Sequence, residues 1–151
     1  ELMQVLLADD QAKVRSAIRL LLEQDERIEV VGEAVDATGL VDWLNVLCPD
    51  LVLLDWELPG AAAEDLLLQI QGICAHAKVI AMSGLPEARQ AALNKGADGF
   101  VSKGDPPERL LEAIATCVDD DRGSVCARKE QLASNLTTRD NRPSWAPSSD
   151  A

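Results

Sequence analysis

Acidic residues stand at the ends of two short aliphatic runs, where they could serve metal or phosphoryl chemistry. The run Val5 to Ala8 is followed by Asp9 and Asp10, and the run Leu51 to Leu54 is followed by Asp55. Three carboxylates that lie together repel one another, and a hard divalent cation such as Mg²⁺ relieves that repulsion. A carboxylate beside such a cation can also attack phosphorus as a nucleophile and form an aspartyl phosphate.

Two later aliphatic runs end in groups that suit phosphoryl oxygens. Val79 to Met82 is followed by Ser83-Gly84, and Gly99 to Ser102 is followed by Lys103. A hydroxyl and an ammonium can stabilise the negative charge of a transferred phosphoryl group. Taken singly, each residue has a plainer role: an Asp after a strand is usually a turn residue or a helix cap, and a Lys is usually a solvated charge. The joint placement of these residues is what favours a site.

The elements that must position these groups alternate along the chain. The four aliphatic runs above and a fifth, Ile28 to Val31, are continuous rather than alternating, as expected for strands covered on both faces, and Gly99 to Ser102 is the weakest of them. Helices are predicted between and after them, in the segments Val14–Leu22, Leu40–Cys48, Leu66–Cys74, Glu87–Lys95 and Leu110–Val118. The alternation predicts an α/β fold with a doubly wound, five-stranded parallel sheet and five helices. The carboxyl ends of such strands meet at one end of the sheet, where ligands bind.

Local signals mark some of the helix boundaries. Asp105 is a candidate N-cap with Pro106 at the first helical position, and Gly96 suits the end of the preceding helix. That preceding helix, Glu87 to Lys95, offers mainly alanines for burial, so we expect it to be short and lightly held.

Composition bounds the function classes. The chain has 151 residues, of which 47% are hydrophobic, and this is enough for one ordinary domain with a core. The net charge of −12 repels phosphate backbones and anionic membranes, so we expect no nucleic-acid or membrane binding by this chain alone. The charge suits a cation or a basic protein partner, and solubility is the simpler explanation. No signal peptide or long apolar span is present, which predicts a cytoplasmic protein.

The four cysteines are widely spread and form no CxxC pair; they are Cys48, Cys74, Cys117 and Cys126. Three of them fall in apolar helical patterns, where cysteine commonly acts as a small hydrophobic residue. We therefore expect neither a disulfide nor a metal site from them.

In combination the polar motifs resemble the receiver domain of two-component response regulators. The resemblance runs in order from Val5 to Val118 and rests on Asp9-Asp10, on Asp55 with Leu58-Pro59-Gly60, on Ser83-Gly84 and on "KGADGFVSK", residues 95–103. The sequence "VVGEA", residues 30–34, and a Lys103 that no proline follows are most similar to the subfamily with LuxR-type helix-turn-helix outputs.

The resemblance implies a receiver, or flavodoxin-like, fold in which Asp55 accepts a phosphoryl group from a histidine kinase. It implies that Asp10 and Asp55 ligate Mg²⁺ together with the Glu57 backbone carbonyl, and that Asp9 belongs to the metal site through a water. The chain would then be a phosphoacceptor signalling domain that acts only on its own Asp55, rather than an enzyme with a separate substrate.

The resemblance also assigns a switch. Ser83 and Lys103 would bind the phosphoryl oxygens, and Phe100 would be the aromatic residue that moves with Ser83 on activation. Plain packing beside the last strand is an equally good interpretation of Phe100. His76, the single histidine, precedes the fourth strand, so the phosphodonor histidine would come from another protein. A homodimer through the fourth helix and fifth strand is a further expectation at family level.

We predict a receiver domain over residues 4–118 and a linker or flexible tail over residues 119–151 without a complete output domain. The sequence "LTTRD", Leu136 to Asp140, resembles the opening of a LuxR-type DNA-binding domain, but the residues after it do not continue the pattern. Either an output domain is missing from this chain or none exists.

Two other functions are open. A haloacid-dehalogenase-like phosphatase would have a second Asp two residues after the nucleophile, where this chain has Glu57. A protein-interaction module that works without phosphorylation would tolerate changes in the acidic site, yet all five polar positions of that site are filled. A phosphoacceptor receiver is therefore the preferred interpretation.

Overall fold

The computed structural model describes the backbone of residues 2–122 and the side chains of residues 2–117. It contains one sheet of five parallel strands in the order β2-β1-β3-β4-β5. The elements are β1 (Met3–Ala8), α1 (Ala12–Glu23), β2 (Ile28–Ala34), α2 (Ala37–Val46), β3 (Leu51–Asp55), α3 (Ala63–Ile73), β4 (Lys78–Ser83), α4 (Ala88–Asn94), β5 (Gly99–Ser102) and α5 (Pro107–Arg122). The predicted alternation of five strands and five helices is confirmed.

The central strands β1, β3 and β4 are buried on both faces, which explains their aliphatic sequences. Leu6 and Leu54 point to one face and join the α2 and α3 side chains in a single core cluster. Val5 and Leu53 point to the opposite face, because side chains alternate along a strand, and they are just as deeply buried. Strands in this setting need apolar residues at every position.

The chain divides into two compact units, one ending at Pro107 and one beginning at Glu108. The first contains the sheet and helices α1 to α4. The second contains α5, whose side chains Leu110, Ile114 and Cys117 are buried at helical spacing. Helix α5 begins at Pro107, one residue later than predicted, and continues through Arg122, past the predicted domain boundary at residue 118. The rest of the predicted tail, including "LTTRD" and Cys126, lies outside the described residues.

Helix α2 is tied to the loop that follows β3. The Asp36 side chain caps α2 by accepting a hydrogen bond of 2.8 Å from the Gly39 N–H, and the Ala37 N–H donates to the Pro59 carbonyl over 2.9 Å. Gly60 has a φ of 108°, and a Cβ there would lie 3.0 Å from the Ala37 Cβ. Only glycine adopts this conformation without strain, so the turn after β3 can lie against the start of α2.

The expectation of no disulfide is wrong, because Cys48 and Cys74 are bonded to each other with their Cα atoms 5.5 Å apart. Helix α2 ends at Val46 instead of continuing to Cys48. Pro49 follows Cys48, and a proline disfavours helical backbone at the residue before it, so the early end is expected. Cys74 is the C-cap of α3. Both cysteines therefore stand just beyond helices, where the packing of α2 beside α3 brings them together. Local periodicity contains no information about that distance.

Helix α4 is short, as expected. It spans seven residues, and only Ala88 and Ala92 are buried. Gly96, with a φ of 109°, follows its C-cap at Lys95. Across the part of the chain that the structure describes, no helix combines the length and apolar character needed to cross a membrane.

Candidate functional site

Three carboxylates meet at the carboxyl end of the sheet. Asp55 is the last residue of β3, and Asp9 follows β1, the neighbouring strand. The Asp9 N–H donates to the Ala34 carbonyl at the end of β2, so pairing with the sheet fixes the Asp9 backbone. Oxygens from Asp9, Asp10 and Asp55 all lie within 4.8 Å of one another. We call these three residues with Ser83 and Lys103 the acidic site.

Burial and backbone hydrogen bonds orient two of the carboxylates. Asp9 and Asp55 are buried, with 0% and 1% of their surface exposed, whereas Asp10 is exposed. Asp9 Oδ1 accepts a hydrogen bond from the Gln11 N–H, and Asp55 Oδ1 accepts one from the Glu57 N–H. Each amide comes two residues after its acid, so a short turn holds each carboxylate in place.

Lys103 is the counterion of both buried acids. Its Nζ lies 2.8 Å from Asp9 Oδ2 and 3.2 Å from Asp55 Oδ1. Its backbone N–H donates to the Ser83 carbonyl, so the turn after β5 holds the lysine over the strand ends. Burial works against the ammonium charge, but the short ion-pair contact with Asp9 and the charges of Asp55 and Asp9 outweigh it and raise the pKa of Lys103.

The acidic site carries more negative charge than Lys103 neutralises. Burial raises the pKa of Asp55 above its ordinary value of 3.8, and the charge of Asp9 raises it further. The Glu57 N–H and Lys103 oppose that rise without cancelling it. Buried Asp9 Oδ2 receives no well-aligned hydrogen bond among the described residues, so the ion pair with Lys103 is its principal contact.

This donor set fits a hard divalent cation. Carboxylate oxygens are the ligands that Mg²⁺ prefers, and it commonly uses one or two of them and keeps several waters. The exposed Asp10 leaves one side of the cluster open to solvent, and the buried Asp9 oxygen without a hydrogen bond would gain from a second cation. The residues present therefore suit a metal ion.

Ser83 is engaged by a residue whose side chain the sequence analysis did not consider. Ser83 is buried, and its hydroxyl donates to Glu57 Oε2 over 2.7 Å and accepts from the Leu85 N–H over 2.9 Å. The motif resemblance implied a role only for the backbone carbonyl of Glu57. The adjacency of β3 and β4 places the two residues near the same end of the sheet, but the side-chain contact depends on how the turn after β3 points.

Arg15 is a second residue that the sequence analysis missed. Its Nη1 donates to the Asp9 carbonyl over 2.8 Å, and its Nε donates to Glu33 Oε1 over 2.8 Å. The hydrogen bond from Arg15 lowers the pKa of Glu33. A helix residue thus braces the turn that carries Asp9, and charge alone did not distinguish it from other surface arginines.

Phe100 lies on β5 beside Ala81 of β4 and is half-buried against the core cluster. The Arg89 guanidinium carbon lies 5.9 Å from the centre of its ring, within range of a cation–π contact. His76 precedes β4, at the opposite end of the sheet from the acidic site.

Comparison with known proteins places the chain in a family. The family profile of the response regulator receiver domain matches residues 5–115. The chain therefore belongs to the receiver domain family of response regulators, as the motif resemblance indicated.

The relatives include response regulators of Escherichia coli. The chain is 38% identical to the nitrate/nitrite response regulator protein NarP of Escherichia coli K12 over 113 residues, which are 74% of this chain and 53% of that protein. It is 33% identical to the response regulator UvrY of the same strain over 131 residues, which are 85% of this chain and 60% of that protein. The chain thus spans little more than half the length of these curated relatives.

Solved structures agree with this fold. The isolated REC domain of RcsB from Salmonella enterica serovar Typhimurium, in the presence of phosphomimetic BeF3−, is 30% identical with a TM-score of 0.72, covering 77% of this chain and 88% of that chain. A LuxR-family two-component response regulator from Aurantimonas sp. SI85-9A1 is 28% identical with a TM-score of 0.70, covering 76% of this chain and 84% of that chain.

Proposed function

We propose that this chain is a phosphoacceptor receiver in which Asp55 takes a phosphoryl group from a histidine kinase and the resulting change signals to an output or partner. The observation that carries the proposal is the position of Asp55: its buried carboxylate lies 3.2 Å from Lys103 and within 4.8 Å of two further acids. Membership in the receiver family supports the same role.

The transfer is a displacement at phosphorus. One oxygen of Asp55 attacks the phosphorus of a phosphohistidine and forms a P–O bond, while the P–N bond breaks and the imidazole leaves with its electron pair. The product is an aspartyl phosphate on this chain and an unphosphorylated histidine on the kinase. The turn amide from Glu57 holds the attacking carboxylate in position.

Mg²⁺, when bound, would neutralise charge on the phosphoryl oxygens. We propose that Asp10, Asp55 and the Glu57 backbone carbonyl hold it, with Asp9 acting through a water. The Lys103 ammonium, which now contacts an Asp55 oxygen, would then contact a phosphoryl oxygen instead.

The switch would begin at Ser83. Its hydroxyl now donates to the Glu57 carboxylate, and a phosphoryl group on Asp55, which carries up to two negative charges, would offer a competing acceptor on the neighbouring strand. We propose that Ser83 turns to that acceptor and that Phe100 moves with it. The two would bias an existing conformational equilibrium of α4 and β5. The two buried alanines of α4 hold that helix with little apolar surface, which favours such a shift.

The test is the intact mass of the protein after incubation with a small acyl phosphate and Mg²⁺. Wild-type protein should gain one phosphoryl group, and Asp55→Asn should gain none. Asp42→Asn, which changes an exposed aspartate of α2, is the matched control and should behave as wild type. A gain that persists in Asp55→Asn would place the nucleophile elsewhere. No gain in folded wild-type protein, even with a panel of histidine kinases, would favour an interaction module independent of phosphorylation.

We further propose a cytoplasmic location, a cognate histidine kinase as partner and a homodimer in the phosphorylated state. Any DNA binding would come from an output domain like those of LuxR-type regulators, because the net charge of −12 disfavours contact between this chain and phosphate backbones. Sedimentation with and without BeF3− and Mg²⁺ tests the dimer. A molecular mass unchanged by both would contradict it.

A further inference from the structure

The Cys48–Cys74 disulfide closes a segment that contains the phosphoacceptor. The two residues are 26 positions apart, and the chain between them holds β3 with Asp55, the following loop and α3. The bond lies at the amino end of the sheet, opposite the acidic site. It joins the end of α3 to the residues just after α2.

The two cysteine residues differ in their exposure to solvent. Cys48 is exposed, whereas Cys74 is 3% exposed and belongs to the core cluster with side chains of α2 and α3. A small reagent in solution therefore reaches Cys48 first, and Cys74 is sheltered. In this arrangement one thiol reacts with the outside reagent and the neighbouring thiol resolves the product.

Backbone contacts that do not involve the sulfurs hold Cys74 and Leu47, the residue before Cys48, in place. The Cys74 N–H donates to the Ile70 carbonyl over 2.8 Å, and the Leu47 N–H donates to the Trp43 carbonyl over 3.0 Å. Leu44 and Ile70 are buried in the same cluster. These contacts do not depend on the redox state, so the Cα separation of 5.5 Å is compatible with both a dithiol and a disulfide.

We propose that Cys48 and Cys74 form a reversible redox modification site whose reactant is a small-molecule disulfide such as oxidised glutathione. The Cys48 thiolate attacks one sulfur of that reagent, forming a mixed disulfide and releasing one thiolate. The Cys74 thiolate then attacks the Cys48 sulfur, forming the internal disulfide and releasing the second thiolate. Two protein thiols lose two electrons in total, and the reagent becomes two thiols that take up the two protons. The proposal rests on thiol chemistry alone and does not require phosphoryl transfer.

The modification would fasten α2 to α3 below the loop that follows Asp55. The opposite end of α2 contacts that loop through the hydrogen bond from Ala37 to Pro59. The disulfide would thus restrain α2, the helix that contacts the loop after Asp55.

The first experiment counts thiols in the full chain. The protein is equilibrated with reduced and oxidised glutathione at several ratios, quenched with acid, alkylated in denaturant so that buried thiols are labelled too, and analysed by intact mass and peptide mapping. As the ratio becomes oxidising, Cys48 and Cys74 should lose two labels together, and reduced glutathione should restore both without denaturant. Cys48→Ser should leave Cys74 labelled throughout, while the matched control Cys117→Ala/Cys126→Ser should keep the paired loss.

Three results would overturn the proposal: labels that never change, a glutathione adduct on Cys48 that Cys74 does not resolve, and a disulfide that reduces only in denaturant. The last would identify a permanent structural bond.

A second measurement uses thermal unfolding of the same samples. The oxidised wild-type protein should unfold about 10 °C above the reduced protein, as expected for a crosslink closing a loop of this length. Cys48→Ser, a change at an exposed position, should show no difference between the two conditions. Equal Tm values for oxidised and reduced wild type would contradict the fastening of α2 to α3.

Discussion

At the carboxyl end of the sheet Asp9 and Asp55 are buried beside each other, whereas at the amino end Asp50 and Asp98 are exposed to solvent. Each amino-end carboxylate accepts a backbone N–H at the start of a strand: Asp50 Oδ2 from Gln4 and Asp98 Oδ2 from Val79, both over 2.8 Å. Aspartates thus satisfy backbone N–H groups at the amino end of the sheet, whereas at the carboxyl end they concentrate negative charge.

The difference shows where this molecule separates stability from function. An exposed carboxylate that accepts a hydrogen bond from a backbone N–H stays partly hydrated, so it stabilises a strand terminus with little loss of hydration free energy. A buried carboxylate beside another loses hydration, and Lys103 compensates the pair only in part. The uncompensated charge is what a cation and a phosphoryl group can use, and the amino end adds a disulfide that holds the scaffold.

The largest effect should come from removing the counterion of the acidic site. Lys103→Met leaves two buried carboxylates facing each other and should lower the free energy of unfolding by about 3 kcal/mol near pH 7. Urea unfolding measures the loss, and Mg²⁺ should restore part of it. Lys95→Met, at an exposed lysine after α4, is the control and should change little. Equal losses in both variants would mean that the ion pairs of Lys103 do not compensate the buried charge.

A smaller loss is expected at the amino end. Asp98→Ala removes the acceptor of the Val79 N–H and should lower the free energy of unfolding by about 2 kcal/mol, because a donor on the buried residue Val79 loses its partner. Asp98→Asn keeps an acceptor oxygen and should recover most of the stability. Phosphoryl gain by intact mass should be unaffected in both variants, and a loss of phosphorylation would break the separation between the two ends.

Mg²⁺ should bind the acidic site at the carboxyl end of the sheet and not the aspartates at the amino end. At ten times its dissociation constant it should raise the free energy of unfolding by about 1.4 kcal/mol, since it binds the folded state alone. Thermal unfolding with a Mg²⁺ titration should show this rise in wild type and in Asp50→Asn. The rise should be much weaker in Asp9→Asn, and equal rises in the two variants would place the ion away from the acidic site.

The smallest expected effect is a gain in the free energy of unfolding. The pKa of Asp55 is raised in the folded state, so the folded protein holds that proton more tightly, and stability falls as the pH rises through the raised value. Asp55→Asn removes this loss and should stabilise the metal-free protein by about 1 kcal/mol near pH 7.

The gain should shrink as the pH falls towards the ordinary carboxyl range, which urea unfolding at several pH values can follow. Asp10→Asn, at the exposed acid of the same cluster, should show a much smaller gain. A destabilised Asp55→Asn at neutral pH would show that the ion pair with Lys103 outweighs the cost of burying Asp55.

The sequence by itself determined the fold and the composition of the acidic site. Aliphatic runs predicted buried parallel strands, and four of the five runs were followed by a polar residue, so the shared carboxyl end of the sheet predicted that Asp9, Asp55, Ser83 and Lys103 would meet. That inference needs only the direction of parallel strands, which the alternation with helices implies.

Only the tertiary structure decided the contacts that cross between elements. The Cys48–Cys74 bond depends on how the ends of α2 and α3 pack, and the contact of Glu57 with Ser83 depends on how the turn after β3 points. The brace from Arg15 to the Asp9 carbonyl depends on where α1 lies over β1. Periodicity states which face of an element is buried, but these distances follow from the packing of separate elements against one another.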